Sequence, residues 1–135
     1  MIPDNSEKRL HHVFFYGLYM DPEILKLKNV EPRDPQIGYA KHFELRIGNK
    51  ATLLRAPGMK AHGIVYSLTQ GEIDALYKES GLTEYNPEAV MVHIGSNAIP
   101  TLCCNLTVPP EADESNPEYE QKLLAAMERL EVPNA

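Results

Sequence analysis

The residues best placed for chemistry lie near the N-terminus, in Val13-Phe14-Phe15-Tyr16-Gly17-Leu18-Tyr19-Met20-Asp21-Pro22. An apolar run ends on Tyr-Gly and passes at once into Asp-Pro. That order reads as a buried strand, a tight glycine turn and a helix start. Backbone N–H groups left unpaired at such a junction make a ready site for an anion. Arg46 stands between Leu45 and Ile47 on a strand and points away from them, which suits either a substrate carboxylate or solvent. Other chemistries lack their residues. His11 and His12 are adjacent and so point oppositely, while His42, His62 and His93 are isolated. Without a His-x-x-x-His or Cys-x-x-Cys spacing, no metal site is expected. No serine stands in a Gly-x-Ser-x-Gly elbow. Cys103 and Cys104 are neighbours, poorly placed for a disulfide with each other, and read as small strand residues with one of them buried.

The elements that must position these residues follow from local pattern. A first strand spans about Leu10 to Tyr16, and a short helix opens with Asp21 as N-cap and Pro22 at its first position. Glu31-Pro32-Arg33-Asp34-Pro35 is expected as a loop, because proline fits neither helix interior nor ladder. Gln36 to Ile47 alternates as a strand, bent near Ala40-Lys41. Gly48-Asn49-Lys50 turns the chain into Ala51-Thr52-Leu53-Leu54, and Ala56-Pro57-Gly58 is expected to turn it again. His62 to Leu68 is another strand, with Ile64, Tyr66 and Leu68 on one face. Thr69-Gln70-Gly71-Glu72 fits a capping box, and its helix carries Ile73, Leu76 and Tyr77 before stopping ahead of Gly81. Two strands, about Ala89–Ile94 and Pro100–Val108, precede a mobile acidic loop over 109–115. A final helix is capped by Asn116 and lines up Tyr119, Leu123, Met127 and Leu130. Several short strands interrupted by three helices predict an α+β fold, a small mixed β-barrel or strongly curved sheet flanked by helices.

At 135 residues the chain reads as one domain with one core, covering 1–135. Its net charge of −6, with lysines and arginines scattered singly, argues against a nucleic-acid partner. No apolar run approaches the roughly 20 residues that span a bilayer, so no membrane partner is expected. The segment Met1 to Arg9 lacks the apolar core of a signal peptide, and with two free thiols this points to the cytoplasm.

These segments together resemble the gamma-glutamylcyclotransferase-like family. Tyr16-Gly17-Leu18-Tyr19-Met20 stands where that family has a Tyr-Gly-Ser/Thr-x-Met type turn. Ala51-Thr52-Leu53, Pro57-Gly58, Gly63-Ile64-Val65-Tyr66-Ser67-Leu68, the helix from Thr69 and Tyr85 follow in the family's order. The likeness is clearest over residues 13–108, with the C-terminal helix over 116–131 beyond it. It implies a barrel with a cavity at one side and a reaction needing neither metal nor cofactor. In that reaction the α-amino group of a γ-glutamyl amine or amide attacks its own γ-carbonyl, giving 5-oxoproline and a free amine. The ligand is thus a small γ-glutamyl-type or other carboxylate molecule. The resemblance implies that Tyr16, Gly17, Leu18, Tyr19, Met20 and Tyr85 bind it. It also implies a glutamate that moves the protons.

That glutamate belongs to a Leu-Asp-x-x-Glu-Gly pattern, and the corresponding segment is Leu76-Tyr77-Lys78-Glu79-Ser80-Gly81. Ser80 fills the glutamate's position and Glu79, the candidate catalytic residue, falls one residue early. One residue turns a side chain by about 100° on an α-helix. Leu18 also replaces the family's hydroxyl residue. Two readings therefore stand: an enzyme using Glu79, or a non-catalytic ligand-binding or interaction module that kept the fold and lost the acid. Glu44 and Glu84 are the other acids in reach of an altered chemistry.

Overall fold

The computed structural model describes residues 9–79 and 84–133, the side chains of Lys78 and Glu79 excepted. The strands are β1 (Leu10–Phe15), β2 (Arg33–Ile47), β3 (Ala51–Thr69), β4 (Tyr85–Ile94) and β5 (Asn97–Leu106). They form one closed barrel in the order β1-β3-β2-β4-β5. All neighbours are antiparallel except β1 and β5, whose parallel pairing at Val13 and Leu102 closes the ring. This is a small mixed barrel flanked by helices, and closure leaves no edge between its first and last strands.

Alternation along β1 explains its unbroken apolar run. Phe14 and Tyr16 join Ala40, Leu53, Val65, Val92 and Cys103 in one buried cluster, within the barrel. Val13 and Phe15 face the other way, into a second cluster with Ile64, Tyr66 and Leu68. Helices cover that second layer: Leu25 comes from α1 (Pro22–Leu27), Ile73 from α2 (Gln70–Asp74), and Leu123 and Met127 from α3 (Pro117–Arg129). A strand buried on both faces carries hydrophobic residues without interruption. Among the described residues no helix is long and apolar enough to cross a membrane.

Three expectations are corrected. Pro57-Gly58 does not reverse the chain: β3 runs straight through it for 19 residues. The register against β2 jumps between Lys41 and Phe43, where His42 takes φ 66° and Gly58 φ 84°. The Gly58 N–H donates to His42 Nδ1 at 3.1 Å, so the turn residues form a bulge that bends the ribbon. The expected loop over 31–35 gives way to β2 at Arg33, because Asp34 (φ 52°) and Pro35 occupy a second break in register before Gln36. β4 begins at Tyr85 rather than Ala89, and Pro87 is accommodated opposite Cys104.

The helix over 70–79 starts as expected and then changes winding. Thr69 Oγ1 accepts from Glu72 N–H at 3.1 Å while the Glu72 carboxylate accepts from Thr69 N–H at 2.9 Å, the reciprocal capping box. The same carboxylate also takes Arg33 at 2.8 Å and the Glu31 N–H at 2.9 Å. Burial works to raise its pKa, but the Arg33 bond and the N–H donors outweigh that and hold it below the ordinary value. A depressed carboxyl contributes stability above its unfolded pKa and loses it as pH falls through the folded one. Glu72→Gln is expected to cost about 1 kcal/mol at neutral pH. As pH falls through the depressed pKa and the wild-type carboxylate itself protonates, that difference should shrink. Urea denaturation of both proteins across pH 3–7 checks this; a gap that stays constant with pH refutes it. Beyond Asp74 the chain makes a π-helical turn, Ala75–Glu79.

Candidate functional site

At the end of the barrel where β1 finishes there is a cavity of about 340 Å³. Its walls come from separate pieces of chain: Phe15 to Tyr19 after β1, Ile24 and Lys28 from α1 and its C-cap, Asn49 to Ala51 from the β2–β3 hairpin, Tyr77, Tyr85 and Tyr119. The turn itself is a single 3-10 turn, Leu18–Met20, entered through Gly17. Met20 N–H donates to Gly17 C=O at 2.9 Å and Asp21 N–H to Leu18 C=O at 3.0 Å. Asp21 then caps α1 by accepting from Glu23 N–H at 3.0 Å, and Arg129 of α3 pairs with it.

Five of the lining residues are tyrosines, and four of the hydroxyls are held by hydrogen bonds. Tyr16 donates to Cys104 C=O at 2.7 Å, deep in the barrel. Tyr85 donates to Ala51 C=O, and Tyr77 shares a hydrogen bond with the Cys104 thiol. Tyr19 stacks edge-on against Phe15 and Tyr77. Tyr119 accepts from Leu18 N–H at 3.1 Å. Burial raises the pKa of Tyr16, Tyr77, Tyr85 and Tyr119 alike. These phenols are therefore neutral hydrogen-bonding groups at any physiological pH. Burial likewise pushes up both thiols, Cys104 to about 11, so neither is a nucleophile. Both cysteines are buried, where one was expected, because the barrel interior covers Cys103 and the π-helical turn covers Cys104.

The charge at the mouth is positive. Lys28 and Lys50 line it, and among the described lining residues there is no carboxylate. Lys50 pairs with Glu84 at 3.0 Å, both partly exposed, which places Glu84 at the rim rather than within. Arg46 donates to Glu111 C=O at 2.9 Å and is outside the lining. The acidic loop over 109–115 does not stand free: the Glu114 carboxylate accepts from Glu111 and Asn49 N–H groups, tying the loop to the hairpin.

No family model and no curated protein matches this sequence. Solved structures do. YkqA from Bacillus subtilis superposes with a TM-score of 0.75 at 22% identity over 90% of this chain; the chain spans 49% of YkqA's length. A gamma-glutamyl cyclotransferase superposes equally well, TM-score 0.75 at 20% identity, over 90% of this chain and 80% of its own. The chain has the gamma-glutamyl cyclotransferase-like fold. An AIG2-like protein from Mus musculus shares it at a TM-score of 0.62 and 14% identity, over 85% of this chain and 94% of that one.

Within this cyclotransferase-like fold, Tyr16, Gly17, Leu18, Tyr19 and Tyr85 come together around the cavity. Met20 does not reach it: its side chain is fully buried in the core and its C=O accepts the Tyr66 hydroxyl at 2.7 Å. Glu79 closes the π-helical turn whose Tyr77 lines the cavity; its side chain, Ser80 and Gly81 lie outside the described residues. Among the wall residues the sequence did not mark are Lys28, Lys50, Tyr77 and Tyr119. Tyr119 was legible only as part of an apolar helical stripe, and nothing in the pattern marks which stripe residue ends at a turn 101 positions away.

Proposed function

We propose that this protein converts a γ-glutamyl amine or amide to 5-oxoproline and the free amine. The observation that carries the reading is the meeting of two segments at one cavity: the Gly17–Tyr19 turn and the π-helical turn that bears Tyr77 and ends at Glu79. Single π-helical turns inside α-helices recur at functional sites. Through such a turn the count of 100° per residue no longer applies, so the one-residue displacement of Glu79 is not a simple rotation out of place.

In this reading Glu79 accepts a proton from the substrate's α-ammonium. The freed α-nitrogen attacks the γ-carbonyl carbon, the ring C–N bond forms, and the bond to the leaving nitrogen breaks. Glu79 returns that proton to the leaving nitrogen, takes the surplus proton from the ring nitrogen and passes it to the released amine. The amine departs as an ammonium, so the cycle balances without metal or cofactor. The cationic rim formed by Lys28 and Lys50 favours an anionic, carboxylate-bearing ligand. The aromatic walls exclude water and accept the apolar parts of the substrate. Tyr16 and Tyr85, their hydroxyls engaged with backbone carbonyls, shape the pocket through their rings. The test is 5-oxoproline release from γ-glutamyl amino acids, γ-glutamyl amines and glutathione. Release from at least one is expected; none from the whole panel would overturn this reading in favour of a ligand-binding module.

A further inference from the structure

The turn's donor and the C-terminal helix meet at one atom. Leu18 and Tyr119 both line the cavity, and Leu18 N–H donates to the Tyr119 hydroxyl oxygen 3.1 Å away. That phenol is held from several sides. Tyr119 occupies the first turn of α3, its own N–H given to the Asn116 cap at 3.1 Å. Leu123, Ala126 and Met127 are buried and anchor the helix, and Arg129 ties it to Asp21 at the far end of the turn. A Cβ on Gly17 would lie 2.4 Å from the phenol oxygen, so glycine there is what lets the ring lie over the turn.

Having accepted a hydrogen bond, the phenol retains its own proton, and among the described residues that proton has no acceptor. The other cavity hydroxyls at Tyr16 and Tyr85 donate to backbone carbonyls. We propose that Tyr119 is a ligand-binding residue whose hydroxyl, polarised by Leu18 N–H, donates to the carboxylate of the bound molecule and selects it over an uncharged amide. Hydrogen bonds to an ionised acceptor are roughly twice as strong as neutral ones, and a donor already accepting a bond is strengthened further. α3 is then part of the site rather than only a cover for the core. The inference rests on the γ-glutamyl reading above, because it takes the ligand to be a γ-glutamyl compound or its cyclised product.

The test is titration of the full chain with 5-oxoproline and with 5-oxoprolinamide, followed by the Leu18 amide resonance. Wild type is expected to favour the carboxylate, and Tyr119→Phe to reduce that preference about tenfold. Gly17→Ala, which pushes the phenol off the turn, is expected to act in the same direction and serves if Tyr119→Phe fails to fold. A preference that survives or grows in the folded variants overturns the role of Tyr119 and leaves the γ-glutamyl reading standing. Wild type that binds neither compound overturns both.

Discussion

Gly63→Ala is expected to cost on the order of 3 kcal/mol or more, a large share of the roughly 5–15 kcal/mol that holds a domain of this kind. Gly63 lies in β3 opposite Gly38 of β2 and close against β1. A Cβ there would stand 2.2 Å from the Phe15 carbonyl oxygen and 2.9 Å from the Phe14 ring. The first of these is backbone, so no side-chain rotation relieves it. β1 would have to move, and β1 is buried on both faces and packed to interior density. It also ends at Tyr16, so a shift would carry the cavity turn with it. A fall in Tm on the order of 10 °C is expected by thermal unfolding. Gly71→Ala is the control, because a Cβ at that position in α2 meets nothing within 4 Å. It should be neutral or stabilise by up to about 1 kcal/mol. If Gly63→Ala melted within a degree or two of wild type, the close approach of β3 to β1 would be wrong.

What sequence revealed of this fold was what local chemistry decides. Asp21 and Pro22, Thr69 and Glu72, and Asn116 and Pro117 each mark a helix start by residues a few positions apart, and all three caps are made. The bend near Ala40-Lys41 was likewise visible, and the register break falls there. Pro57-Gly58 misled because the same residues serve a hairpin turn or a bulge. Which one they form is set by whether a partner strand continues alongside, here β2 around His42. The π-helical turn over Ala75–Glu79 left no mark, since its residues alternate like those of any amphipathic helix. The resemblance located the turn at Tyr16–Tyr19 and Tyr85. Walls such as Lys28, Lys50, Tyr77 and Tyr119 were hidden because they come from four other segments, brought together only by barrel closure and the docking of the helices.

Glu79→Gln is expected to reduce 5-oxoproline release by about 10²–10⁴-fold, the range ordinarily lost with a positioned general acid–base. The other titratable groups described at the cavity are ill suited to moving that proton. Its phenols at Tyr16, Tyr77, Tyr85 and Tyr119 are raised in pKa by burial and hold their protons at neutral pH. Its lysines, at the rim, serve to attract an anion, and Lys50 is already paired with Glu84. In the proposed reaction the proton transfers then need a carboxylate from a neighbouring segment, and the sequence places one, Glu79, two residues beyond Tyr77. Glutamine keeps the size and removes the proton-accepting oxygen, so substrate binding should persist while turnover drops: kcat falls and KM changes little. The pH profile is part of the expectation. Wild-type kcat/KM should rise with pH as the carboxylate ionises, and the residual activity of the variant should lack that limb. A Glu84→Gln variant run beside it should retain most activity, because Glu84 is exposed at the rim. If Glu79→Gln instead turned over normally and Glu84→Gln did not, the proton would pass at the mouth, and the Lys50–Glu84 pair would be the catalytic device.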